Sequence, residues 1–235
     1  MKVKRLIVIV SMFAFFVIVW FLQGKRYLSL PTPEALYWLN ASAFGYNSIR
    51  AFCLFYSIPF IIFINHFFLS EDTFTIIRWF KREVLYRRIV IKTAISSIIF
   101  SIIHMLVNVV LTFTFLDWEL ILEAQFVLIS FFSMIGLFLF FFWVGILYRL
   151  FYDLTNFKGS SMLFTCLFIG VLYFIGKLNV LGGAWYPTKD LVIFQMLLEN
   201  KWETIDLILV YTRQIVIVII FYLIASSIFL RKDFA

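Results

Sequence analysis

Charge is scarce in this chain. Asp, Glu, Lys and Arg make up 14% of its 235 residues and hydrophobic residues 64%, whereas a soluble domain carries roughly a quarter charged residues. Too little polar surface remains to coat a water-soluble core. Cysteine is nearly absent. Cys53 and Cys166 both fall in apolar runs, which excludes a disulfide framework and makes them small apolar core residues. The two histidines, His66 and His104, have no cysteine or acid at ligand spacing, so no metal site is expected. An intramembrane hydrolase lacks its parts as well. There is no HExxH motif and no pair of intramembrane aspartates, and Ser160 and Ser161 have no recognisable nucleophile setting with His104. No GxxxxGK[ST] loop is present, so the chain cannot cradle and hydrolyse a nucleotide by that route. Gly136, Gly145, Gly170 and Gly176 form no GxxxG pair and mark only non-specific chances for close helix approach.

What the sequence does contain is apolar runs of bilayer length. They lie at about 6–22, 49–69, 91–115, 126–150, 161–181 and 205–230, each long enough to cross a hydrocarbon core of about 30 Å. The runs do not alternate apolar with polar residues, so they are not barrel strands, and lipid admits no other spanning structure than helices. The expected fold is all-α: one polytopic membrane domain, residues 1–235, of about six transmembrane helices. The first run follows Lys2, Lys4 and Arg5, yet Trp20-Phe21-Leu22-Gln23 offers no small-residue cleavage site, so it reads as a retained span.

Basic residues set the orientation. They cluster at the amino terminus, in the second connection (Arg78, Lys81, Arg82, Arg87, Arg88, Lys92), in the fourth (Arg149, Lys158) and at the carboxyl end (Arg231, Lys232), while the third connection is purely acidic (Asp117, Glu119, Glu123). This pattern predicts that both termini face the cytoplasm. The formal charge of +7 is then a topology signal plus attraction to anionic membrane lipid, and no nucleic-acid partner is needed to explain it.

The connection 70–90 stands out. Ser70-Glu71-Asp72 can cap a helix that continues through Thr73. Ile76, Ile77, Trp79 and Phe80 would make its contacts, and Arg78, Lys81 and Arg82 would stay wet. An interfacial helix held by anionic lipid has the same composition. With about six spans, cytoplasmic termini and this insert after the second span, the chain resembles the permease subunits of ABC-2-type ATP-binding-cassette transporters. The positions that carry the likeness are Glu71, the stretch 73–77, Arg87-Arg88-Ile89 and Lys92, and the ending Ile228-Phe229-Leu230-Arg231-Lys232-Asp233. Leu85-Tyr86 stand where the family usually has Pro or Ser before the Arg. The resemblance implies that Glu71, Asp72, Thr73, Ile76, Ile77, Arg78, Trp79, Phe80, Lys81 and Arg82 form a coupling helix docked on a separate ATPase subunit. It further implies a second permease subunit, identical or different. ATP and Mg would sit on the partner, with no cofactor on this chain. The location would be the bacterial cell (inner or plasma) membrane, and the cargo an amphipathic molecule such as a peptide antibiotic or a lipid-like compound. A non-transporting immunity factor or assembly scaffold is the competing expectation.

Inside the spans, His104 and Asn108 lie one turn apart on one helix face, and Arg213 and Gln214 lie toward the outer part of the last span. Interhelical hydrogen bonding or a translocation path would account for them. Arg213 is expected to pair with Asp206, about two turns earlier, or with Glu203, on the same helix, with a substrate-path role as the alternative. The outer connection 182–204 contains Gly-Gly, Tyr-Pro and then DLVIFQMLLENK, which predicts a short amphipathic helix over 190–201, interfacial or re-entrant.

Overall fold

The computed structural model describes residues 2–68, 82–178 and 185–231. Among these residues every regular element is helical. The elements are α1 (Lys2–Gly24), α2 (Thr32–Asn40), α3 (Ser57–Phe68), α4 (Arg82–Phe115), α5 (Trp118–Glu123), α6 (Phe126–Thr155), α7 (Lys158–Lys177), α8 (Ile193–Leu198) and α9 (Thr204–Arg231). Five helical stretches, Leu6–Tyr27, Arg82–Phe115, Phe126–Thr155, Lys158–Lys177 and Thr204–Arg231, are long and apolar enough to cross a bilayer. The chain is an all-α multi-pass membrane protein.

The second expected span differs from the other five. Its helical turns run over residues 49–68, but the π-helical piece Ala51–Tyr56 interrupts the α-helical geometry. Pro59 accounts for the break. It supplies no N–H, and its ring crowds the carbonyl one turn earlier, so the widened turn ahead of it takes up the mismatch. The Ser57 hydroxyl donates to the Phe52 carbonyl at 2.9 Å, satisfying a backbone acceptor that hydrocarbon could not.

The third span starts earlier than its hydropathy suggests. Helix α4 is continuous for 34 residues, about 50 Å at 1.5 Å per residue. Residues 82–90, expected in the basic connection, are therefore its first turns. Arg82, expected at the end of the coupling helix, is instead the first residue of α4, and its Nη1 donates to the Leu230 carbonyl of α9 at 2.8 Å. The rest of the expected coupling helix, 71–81, lies outside the described residues. So do 179–184, which include the Gly-Gly turn.

Helix α6 is the hub, with α3, α4, α7, α8 and α9 all packed on it. Side chains from all around it are buried, among them Phe140, Phe141, Trp143 and Val144. Helices α1 and α7 are peripheral and present one face each to the bundle; α1 buries Phe16 and Trp20, one turn apart. Much of the chain's phenylalanine goes into a core of tilted and edge-to-face rings. Phe141 lies 4.8 Å from Phe100 and 4.9 Å from Phe60, and Phe100 lies 5.0 Å from Phe16. Such pairs prefer these arrangements and add about 0.5–1.5 kcal/mol each beyond their burial.

Gly145 is one point of close helix approach. A Cβ there would lie 2.5 Å from Thr93 Cγ2 and 2.9 Å from Ile64 Cδ1, so the missing side chain is what lets α3, α4 and α6 meet. Gly170 on α7 has nothing within 4 Å. Gly145→Ala is expected to destabilise the purified protein by roughly 1–3 kcal/mol through overpacking, read as a lowered thermal midpoint in detergent. Gly170→Ala is expected to leave the midpoint unchanged.

Candidate functional site

Three clusters of polar side chains stand out among the described residues. The first is the interface of α1, α2 and α4. Asn108 Nδ2 and Asn47 Nδ2 each donate to Asn40 Oδ1 at 2.9 Å, and Trp20 Nε1 donates to Asn108 Oδ1 at 3.2 Å. One turn away on the same face of α4, His104 stacks on Tyr46 with ring centres 4.4 Å apart and is flanked edge-on by Phe16, Phe52 and Tyr56. The Tyr46 hydroxyl donates to the His104 carbonyl and the Tyr56 hydroxyl to the Tyr46 carbonyl, both at 3.2 Å. His104 Nε2 and Ser130 Oγ are buried without a hydrogen-bond partner. His104, Asn47, Asn108, Ser130 and Ser133 line a cavity of about 10 Å³, room for about one water. Asn108 thus makes the expected interhelical bonds. The His104 ring is held by stacking.

The second place is a clamp around Asp190. The segment Pro187–Val192 is a 3-10 helix that runs into α8, where one amphipathic helix over 190–201 was expected. It is packed into the bundle. Thr188, Asp190, Leu191, Ile193 and Phe194 are all buried. Ile193 fills the space left by Gly136, where a Cβ would sit 2.3 Å from its Cδ1, and Tyr186 does the same at Gly176. Asp190, 2% exposed, receives Arg213 Nη2 at 2.7 Å and Arg213 Nε at 3.3 Å, Trp185 Nε1 at 3.0 Å and Gln214 Nε2 at 3.2 Å. Gln214 Nε2 also reaches the Pro187 carbonyl at 2.9 Å, and Gln214 Oε1 accepts from Trp143 Nε1 of α6 at 3.2 Å.

The expected pairing of Arg213 with Asp206 or Glu203 is therefore corrected. Asp206 instead caps the start of α9, where its Oδ2 accepts from the Glu203 amide at 2.9 Å. A carboxylate this deeply buried needs a charged partner more than an exposed one does, and the fold brings Arg213 to it across a gap in sequence. Asp190, Trp185, Asn40, Asn47 and Trp20 were not among the expected site residues. For Asp190 the available signal was an acid inside an otherwise apolar segment.

The third place is a cleft at the same end of the bundle as α2 and α8. Its cavity of about 450 Å³ is walled by Tyr37, Trp38, Tyr173, Tyr186, Arg50 and Lys177, among others. A neighbouring hollow of about 270 Å³ shares Ser48 and Arg50 and adds Arg26 and Phe44. The carboxylate by this cleft is Glu199. The Lys201 ammonium, hydrogen-bonded to it with help from the Gln195 amide, holds the carboxyl below its usual range, and Glu199 in turn raises the nearby Tyr37 phenol. At the opposite end, Arg149 Nε bonds Asp153 Oδ2 at 3.0 Å, and the Arg149 guanidinium lies 5.4 Å from the Phe229 ring centre.

Among the described residues no group of three His, Cys, Asp or Glu side chains is placed to hold a metal ion. No known protein family, curated protein or solved structure matches the chain.

The clamp can be tested by a double-mutant cycle. Asp190→Asn and Arg213→Gln are each expected to lower stability by about 1–3 kcal/mol. The double variant should cost less than the sum by at least about 0.5 kcal/mol, because each single change leaves a charge unpaired. Asp206→Asn with Arg213→Gln is expected to be additive. Thermal unfolding in one detergent reads all of these.

Proposed function

We propose that this chain is the membrane subunit of an ABC-type transporter of the bacterial cell membrane, driven by a separate ATPase that docks on the connection between its second and third spans. The observation that carries this reading is the continuity of α4. The helix begins at Arg82, at the end of the basic connection, and runs unbroken to Phe115. On the way it passes the packing point at Gly145 and carries His104 and Asn108 of the outer polar network. A push on the connection would reach the outer half of the bundle along one rigid element. The bond from Arg82 to the end of α9 passes part of that push to the last span, the helix that bears Arg213.

Two further features support the reading. The sequence has no phosphate-cradling loop, so the energy for transport would come from a partner. Between the last two spans lies a short helical piece packed into the bundle, which would match the re-entrant segment of ABC-2 permeases and, at membrane depth, would need internal hydrogen bonding. Phe60, Phe100, Phe140, Phe141 and Trp143 fill the middle of the bundle. A translocation path would therefore run between two permease subunits, with an amphipathic cargo such as a peptide antibiotic or a lipid-like molecule. The same filled core suits a non-transporting immunity factor or scaffold, which would bind its partner through the same connection.

Charge reversal at Arg78 and Lys81, or Trp79→Ala, is expected to lower ATPase turnover several-fold in a complex purified with its ATPase partner, with the thermal midpoint of the membrane subunit unchanged. Cargo should stimulate turnover in the reconstituted complex. Turnover that ignores both the loop variants and the cargo would favour the scaffold.

A further inference from the structure

The cleft beside α2 and α8 collects positive charge on the side of the membrane where charge bias places few cations. The Arg50 guanidinium lies 4.5 Å from the Phe44 ring centre and Arg26 lies 5.9 Å from the same ring, so two guanidinium groups flank one phenylalanine. Lys177 stands at the end of α7 and lines the same cavity as Arg50. None of the three is in an ion pair with a described residue. Among the described residues, no Asp or Glu lines either hollow. The acids nearby are already engaged, Glu199 by Lys201 and Asp190 by Arg213.

The remaining walls are aromatic and apolar. Tyr37, Trp38, Tyr173 and Tyr186 face a space of about 450 Å³, within the range of small-molecule sites. Cations of like sign held together over aromatic faces attract an anion, and the aromatic walls attract an apolar body attached to it. Inorganic phosphate would satisfy the first need and leave the second unmet.

From this geometry we propose that the cleft binds a lipid-like amphiphile with an anionic head group, the head held by Arg50, Lys177 and Arg26 and the apolar part lying against Tyr37, Trp38 and Tyr173. This goes beyond the proposed transport reading and does not depend on it: a transporter would meet such a molecule as cargo or regulator, and a scaffold as a bound lipid.

The experiment uses the full-length chain alone in a non-ionic detergent, without an ATPase, so its outcome is separate from that of the turnover assay. Dioctanoyl phosphatidylglycerol, dioctanoyl phosphatidylcholine and inorganic phosphate are titrated in turn, and bound ligand is counted by native mass spectrometry. The anionic lipid is expected to bind about tenfold or more tighter than its zwitterionic match, and phosphate more weakly than either. Arg50→Gln and Lys177→Gln should each weaken the anionic lipid roughly fivefold and leave the zwitterionic lipid unaffected. Arg50→Lys should restore most of the binding. Lys177→Gln at an exposed helix end keeps the test intact if the Arg50 variants fold poorly. Lys158→Gln, at the opposite end of α7, should change nothing. Equal binding of the two lipids, binding of phosphate as tight as the anionic lipid, or an equal loss from Lys158→Gln would each overturn the proposal.

Discussion

The half of this bundle that holds α2 and α8 depends on one buried carboxylate. Asp190 sits on a 3-10 turn, and a backbone of that kind leaves polar groups that lipid cannot satisfy. Its place inside the bundle holds because Arg213, Gln214 and Trp185 converge on the carboxylate, and Gln214 then reaches the Pro187 carbonyl and Trp143 of the central helix. The ion pair alone would not justify burying a charge, since desolvation consumes much of the attraction. The complete set of donors does. With 187–198 held this way, Tyr186 and Gln195 form one wall of the cationic cleft, opposite α2. The clamp and the cleft are therefore two faces of one construction.

The two ends of the molecule are built differently. The end with α2 and α8 is rich in hydrogen bonds between side chains far apart in sequence, such as Asn108 to Asn40. The middle is aromatic packing around α6 with a glycine at its tightest crossing. The opposite end is tied by the Arg82 bond to the Leu230 carbonyl, the Tyr148 hydroxyl on Asn65, the Arg149–Asp153 pair and the Tyr86 ring against Tyr222 and Phe229.

The helical, multi-pass character was legible in hydropathy, and α6 and α9 start within a residue of where their apolar runs begin. Three features were not. The early start of α4 was hidden because residues 82–90 carry four charges, Arg82, Glu83, Arg87 and Arg88, although Leu85, Tyr86 and Ile89 keep helical spacing and are buried. The π-turn over 51–56 was signalled only by Pro59. The partner of Arg213 was misassigned because same-helix acids are the nearest in sequence, while the deeply buried acid, which has the greater need of a cation, sits in a separate segment. Gly136, Gly145, Gly170 and Gly176 looked alike in the sequence; that Gly136 meets Ile193, Gly145 meets Thr93 and Ile64, Gly176 meets Tyr186 and Gly170 meets nothing is a property of the tertiary fold.

Orientation ties the two proposals together, since an ATPase could push only on a connection it can reach and the cleft, as proposed, faces outward. In a variant lacking Cys53 and Cys166, single thiols placed by Thr73→Cys and Lys201→Cys can be labelled with a membrane-impermeant maleimide. The expected result is that Lys201→Cys reacts on intact cells and Thr73→Cys reacts only after the cells are permeabilised. Labelling of Thr73→Cys on intact cells would contradict both the driven connection and the outward-facing cleft.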